Sequence, residues 1–242
     1  MTEDLLNTIF CGRHSQPWNP VSLNMIDFQS FIGGIFETNA YLVSAPNGLI
    51  LFDAPAGTCE WLKKTGRRPN LLLITHGHVD HIEDAHAVKE RFSCKVGYHA
   101  DSAPLITDPG FFKQFGFALE VQPTKSDFFI DETDSCEFLG LQFRIFLVPG
   151  HCPGSLCFYV PEEKVLVGGD VLFAGSIGRT DLPGCDHQAL ITNIRQKLYL
   201  LPDETKVLPG HGPSTTIGYE KRHNPFVRSS PSELGIEGLG GS

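Results

Sequence analysis

No two of the seven cysteines are spaced as CxxC, and their number is odd. Cys11, Cys59, Cys94, Cys136, Cys152, Cys157 and Cys185 therefore read as free thiols of a reducing compartment, not as a disulfide framework or a thiolate zinc site. Positive charge is also scarce: 19 Lys and Arg stand against 28 Asp and Glu, for a formal net charge of −9. A nucleic-acid surface needs a basic patch to release counterions, so no nucleic-acid partner is expected. No apolar run nears the roughly 20 residues of a membrane span. The opening MTEDLLNTIFCGRHSQPW carries acids where a secretory leader carries bases. The expectation is a soluble, cytoplasmic protein without a membrane partner. The pattern sets no oligomeric state.

Internal repeats are lacking as well, and no break in composition precedes the Gly/Ser-rich stretch SSPSELGIEGLGGS. The expected organisation is an irregular arm over 1–23, one domain over 24–228, and a flexible tail over 229–242. With 41% hydrophobic and 19% charged residues, a chain of this length can bury a sizeable core.

What is present is a series of short apolar runs. LNMIDFQSFIGGIFETNAYLVSAPNGLILFDAP reads as strands, with Asn47-Gly48 as the hairpin signal. CEWLKKTG predicts a short helix stopping near Gly66, and NLLLIT a strand buried on both faces. HIEDAHAVKERFS has helical spacing, CKVGYHA is a further strand, and the aromatic region 101–130 predicts a loop and helix over a pocket. CEFLGLQFRIFLVPGH and SLCFYVPEEKVLVGGD read as paired strands, with a turn at Pro161–Lys164. DHQALITNIRQKLYLLP predicts an amphipathic helix, and TKVLPGHG a last strand. This order suits an α/β sandwich: two mixed sheets with helices outside.

Four of these strands end in metal-ligand residues. LLLIT delivers His76, His78, Asp80 and His81, RIFLVPGH delivers His151, KVLVGGD delivers Asp170, and TKVLPGH delivers His211. A lone histidine at a strand end is usually a satisfied polar residue, and His14, His86, His99, His187 and His223 are read that way. The cluster THGHVDH does not fit that reading, because burying so many polar rings and a carboxylate is costly without partners. Five imidazoles and two carboxylates suit zinc, iron or manganese. Seven ligands are too many for one open site, so two divalent ions are expected, zinc first. Gly77 would let the ligand turn pack tightly.

In order, THGHVDH, PGH at 149–151, GGD at 168–170 and PGHG at 209–212, with Asp53 at an earlier strand end, resemble the metallo-β-lactamase superfamily over about residues 24–227. The resemblance implies an αββα four-layer sandwich. It implies His76, His78 and His151 on a first metal, Asp80, His81 and His211 on a second, and Asp170 between them. It also implies that Asp53 orders the ligand loop from behind, and that Asp80 orients the hydroxide and takes its proton. The segments GGDVLFAGSIGRTDLPGCDHQAL and PGHGPSTTIGYEKRHNPF are most similar to short glyoxalase II-like hydrolases. These cleave thioesters such as S-D-lactoylglutathione with a metal-bridging hydroxide. The commonest true β-lactamases carry a cysteine where Asp170 stands, so antibiotic hydrolysis is not expected.

The sequence departs from that pattern in three places. Typical glyoxalase II enzymes read THHHxDH, and here Gly77 replaces the middle histidine. They carry a C-terminal helical domain, whereas 31 residues follow His211. They grip glutathione with a lysine and a tyrosine, where this chain has Arg179 and Asp181. Arg179 is the candidate clamp for a substrate carboxylate. Persulfide dioxygenases also carry GRTD and use one iron. The alternative is therefore a mononuclear iron enzyme acting on glutathione persulfide through His76, His151 and Asp170. Cys152 reads as packing, not as a nucleophile.

Overall fold

The computed structural model describes residues 26–108, 110, 113 and 121–229. The arm expected over 1–23 lies outside these residues, as does the tail beyond Ser229. A first sheet runs in the order β1 (Phe28–Gly33), β2 (Thr38–Ala45), β3 (Gly48–Phe52), β4 (Leu71–Leu73), β5 (Lys95–Tyr98), β6 (Phe128–Phe129). Its first two pairings are antiparallel and the other three parallel. The second sheet contains β7 (Thr133–Phe138), β8 (Leu141–Leu147), β9 (Leu156–Val160) and β10 (Val165–Gly169). A small ribbon of β11 (Leu172–Phe173) and β12 (Ser176–Ile177) intervenes before β13 (Lys206–Pro209) and β14 (Thr215–Thr216) complete that sheet, in the order β14-β13-β10-β9-β8-β7. Only β10 and β13 pair in parallel there. Both sheets are mixed, as the sequence predicts.

Side-chain alternation explains the layers. Ile50 and Phe52 of β3, Leu71 and Leu73 of β4, Phe158 of β9 and Val167 of β10 share one core between the sheets. Their neighbours point outward. Leu51 and Leu72 pack with Leu62 and Val88, which belong to α1 (Thr58–Thr65) and α3 (Ala85–Phe92). Tyr159 and Leu166 pack with Leu190 and Ile194 of α5 (His187–Gln196). Strands covered on both faces have no polar positions, which is why they read as continuous apolar runs. The result is an αββα sandwich.

Three local expectations change. The helix read from HIEDAHAVKERFS is two helices, α2 (Val79–Ile82) and α3. The Asp84 amide donates to Ala54 O at 2.8 Å, outside any helical ladder, and the Asp84 carboxylate accepts from the Cys59 amide at 2.9 Å. The β2–β3 hairpin exists, but its loop residues are Pro46 and Asn47, and Gly48 already pairs with Ala45. After β13, the chain forms β14 and α6 (Ile217–His223), which no apolar pattern in the sequence announces; Thr216 caps the helix by accepting from the Tyr219 amide. The region 101–130 includes α4 (Ala103–Thr107), and residues 109, 111, 112 and 114–120 fall outside the described set.

Strands β3 and β4 run in one direction, and within the second sheet β8, β10 and β13 share a direction. Each delivers its polar residue just past its C-terminal end.

Candidate metal centre

Nitrogen and carboxylate oxygen atoms of all seven expected residues meet at one place. Three overlapping groups have ligand atoms within 4.8 Å of one another: His76, His78 and His151; His76, His81 and Asp170; Asp80, His81 and His211. Asp170 lies centrally: its oxygens are 3.2 Å from His81 Nε2, 3.5 Å from His151 Nε2 and 3.4 Å from His211 Nε2.

Four of the rings are oriented from behind through Nδ1. The His151 Nδ1–H donates to the Arg179 carbonyl at 2.9 Å, and the His211 Nδ1–H to the Phe36 carbonyl at 3.0 Å. His81 Nδ1–H donates to Asp53 Oδ2 at 2.7 Å. The Thr75 hydroxyl donates to that same Asp53 oxygen at 2.8 Å, so it accepts the His76 Nδ1–H at 3.0 Å. All four Nε2 atoms face inward, and those of His76 and His151, whose rings burial keeps neutral, carry lone pairs.

That arrangement tests whether a cation fits. His76 Nε2 and His151 Nε2 face each other at 3.3 Å, and two lone pairs at that distance repel. His81 Nε2 and Asp170 Oδ1 are buried 3.2 Å apart, yet neither makes a well-directed hydrogen bond, which buried polar atoms ordinarily do. A divalent cation among them satisfies both observations, and carboxylate or carbonyl partners behind ligating histidines are the usual support of a metal site. The residues fit the group.

Without a cation the charges are polarised across the cluster. Burial, with His81 and His78 nearby, keeps His76 well below the usual imidazole range, and burial with His151 beside it pushes His78 down to about 3. Burial disfavours charge on His81 too, but Asp170, Asp80 and Asp53 outweigh it and hold its proton well above the usual range. His211 is likewise raised, to about 10, because the carboxylates of Asp170 and Asp80 outweigh its burial.

Several supports escaped the sequence reading. Buried Thr38 donates its hydroxyl to Asp80 Oδ2 at 2.7 Å. The Asn39 side chain donates to the Pro209 and Gly212 carbonyls, and Tyr41 to the Pro209 carbonyl. The one available signal was the polar pair Thr38-Asn39 opening an otherwise apolar strand. The carbonyls of Phe36 and Arg179 gave none, since any residue has one. Gly77 and Gly210 act by leaving room. A Cβ at 77 would lie 2.6 Å from Leu105 Cβ, and one at 210 would lie 2.0 Å from Asp170 Oδ1.

The cluster forms the floor of a cavity of about 550 Å³. Its walls are chiefly apolar: Phe36, Val79, Pro104, Leu105, Leu182 and Pro183. Arg179 lies on the rim, where its Nε and one terminal nitrogen each bond to Asp181 at 2.7 Å. Cys152 lines the cavity but is buried, and burial pushes its thiol up to about 12, which suits packing and not attack. The other described histidines have local partners: His86 the Pro123 carbonyl, His99 the Asp101 amide, His187 the Thr180 hydroxyl, His223 the Tyr219 carbonyl. His14 lies outside the described residues. No described helix is long and apolar enough to cross a membrane.

Residues 33–211 match the family model of the metallo-beta-lactamase superfamily. Over 161 residues the chain is 39% identical to the hydroxyacylglutathione hydrolase GloC of Haemophilus influenzae, which covers 66% of this chain and 76% of that protein. The crystal structure of the BLEG-1 B3 metallo-beta-lactamase superposes with a TM-score of 0.77 at 38% identity, over 84% of this chain and 100% of that one. That of TTHA1623 in a di-iron-bound form gives a TM-score of 0.73 at 35% identity, over 82% and 99%.

Proposed function

The chain belongs to the metallo-beta-lactamase superfamily, whose members bind divalent metals and act as hydrolases, and from that premise we propose that it is a binuclear thioester hydrolase acting on S-D-lactoylglutathione or a related acyl-glutathione. The observation that carries this reading is the inward convergence of imidazole nitrogens and two carboxylates, those of Asp80 and Asp170, on one place. The relationship to GloC supports the substrate class.

His76, His78 and His151 would hold one ion, Asp80, His81 and His211 the other, with Asp170 shared. Zinc is the first expectation, with iron or manganese as alternatives; the di-iron form of TTHA1623 gives iron weight. Divalent metal held there supplies Lewis acidity toward a carbonyl and an acidified water at neutral pH. Asp80, fixed by the Thr38 hydroxyl on one oxygen, orients the attacking water and receives its proton at the carboxylate. The cavity walls hold the thioester against the cluster and keep bulk water away. The departing thiolate needs little acid help, because a thiol pKa is about 8.5. No serine or cysteine nucleophile is required.

The test is to replace Asp170 or His211 by Ala, and measure metal per chain and S-D-lactoylglutathione hydrolysis. Both should fall together; unchanged values for both overturn the reading. A β-lactam serves as the control substrate, given the likeness to BLEG-1. One iron per chain with oxygen uptake on glutathione persulfide would establish the dioxygenase in place of the hydrolase.

A further inference from the structure

The cavity is poor in free positive charge. Among the described residues, and beyond the metal cluster, its charged lining consists of Asp101 and Arg179. The Arg179 guanidinium is not idle: Nε and one terminal nitrogen meet both oxygens of Asp181, each at 2.7 Å, in a fork-to-fork pair. Arg179 and Asp181 stand two residues apart on the same rim loop, so forming the pair orders little chain. A glutathione-linked thioester carries two carboxylates on its thiol arm. The one guanidinium among the described lining residues able to receive such a carboxylate bidentately already has a carboxylate in that position. The remaining walls are apolar.

We propose that Asp181 is a specificity-determining residue, which by occupying Arg179 weakens the site for thioesters on an anionic carrier relative to thioesters on an uncharged one. This rests on the hydrolase reading of the same site. The side-chain bonds of Asp181 run to Arg179, and its effect on the carrier is exerted through the guanidinium. The pair is exposed, with more than half of each side chain open to solvent, so it competes with a substrate carboxylate without abolishing its binding. The backbone of the loop serves a separate purpose, since the Arg179 carbonyl orients His151 whatever its side chain does.

The experiment compares the wild-type protein with Asp181→Asn, Arg179→Gln and the double variant, all loaded with metal. Substrates are S-D-lactoylglutathione and S-acetyl-N-acetylcysteamine, an uncharged thioester. Breaking an exposed ion pair releases little, so Asp181→Asn should lower KM for the glutathione thioester roughly two- to fivefold. Its kcat, its metal content and its KM for the uncharged thioester should not move. In the Arg179→Gln background the same change should do nothing. A readout independent of turnover is calorimetric binding of S-hexylglutathione, a thioether the site cannot hydrolyse, which should tighten in Asp181→Asn by the same factor. An unchanged KM and unchanged S-hexylglutathione affinity, or an equal effect on the uncharged thioester, or a benefit that survives loss of Arg179, overturns the proposal. If neither thioester is hydrolysed by fully loaded wild type, the hydrolase reading falls, and the S-hexylglutathione titration still decides whether Asp181 competes for Arg179.

Discussion

Asp53 adopts a φ of 58°, a left-handed backbone that costs a residue with a side chain of order 1 kcal/mol. It is held there by what its carboxylate gathers: the Thr75 amide at 2.7 Å, the Thr75 hydroxyl and the His81 ring. Replacing Asp53 with Ala leaves a buried imidazole N–H and a buried amide unpaired. Metal affinity should drop about 10- to 100-fold, the usual effect of losing the group behind a ligating histidine, as read by titration against a chromophoric chelator. Unaltered affinity would show that His81 is held by something else. At Gly77 the constraint is space. Gly77→Ala must displace Leu105 or the Ser102 carbonyl, and overpacking of this kind costs roughly 1–3 kcal/mol, measurable by urea unfolding. The seven candidate ligands were legible in the sequence because residue type and strand-end position are both local. The role of Asp53 was legible only through the family resemblance. Thr38 and the carbonyls of Phe36 and Arg179 were not legible, because long-range folding alone brings them behind a ring.

The opening of β2 ties the last ligand into place. Asn39 donates from its backbone to the Gly210 carbonyl at 2.7 Å and from its side chain to the carbonyls of Pro209 and Gly212. Asn39→Ala removes the two side-chain bonds and leaves a buried carbonyl without that donor, at a cost of about 1–3 kcal/mol. Because these bonds fix the loop carrying His211, the ion proposed for Asp80, His81 and His211 should dissociate first. The expected result is one tightly held metal per chain in place of two; retention of both under dialysis would count against this. Strand positions were readable from their apolar runs. The break between α2 and α3 was not, since the Ala54 carbonyl that takes the Asp84 amide lies 30 residues earlier in the chain. The α6 helix was missed because its seven residues, IGYEKRH, carry too short an apolar pattern to stand out.

Across the whole molecule, one core between the sheets sets stability, and a charge balance sets metal uptake. Phe52, Phe143 and Phe158 form its aromatic centre, with ring centroids 5.2 to 6.5 Å apart. Phe158→Ala should cost about 3–5 kcal/mol, visible in the urea midpoint. In the metal-free protein His81 and His211 both keep their protons at pH 7, being raised above the ordinary imidazole value. A ligating imidazole must be neutral at the metal-facing nitrogen, so zinc loading at pH 7 should release protons and tighten as pH rises toward 10. Calorimetry in buffers of different ionisation heat measures the number released; a heat independent of buffer would contradict the assignment.

The hydrogen bonds between the start of β2 and the loop after β13 span 168 to 173 residues of chain. Synthesis therefore delivers HxHxDH long before anything can complete its pocket. A nascent chain on the ribosome exposes three imidazoles and an acid before His151, Asp170 and His211 exist to face them. The finished centre becomes available only after residue 212 has emerged and swung back across the first sheet. Completion of the seven-residue centre is thus a late event in the life of each molecule, set by the arrival of its last strand and not by the appearance of its densest motif.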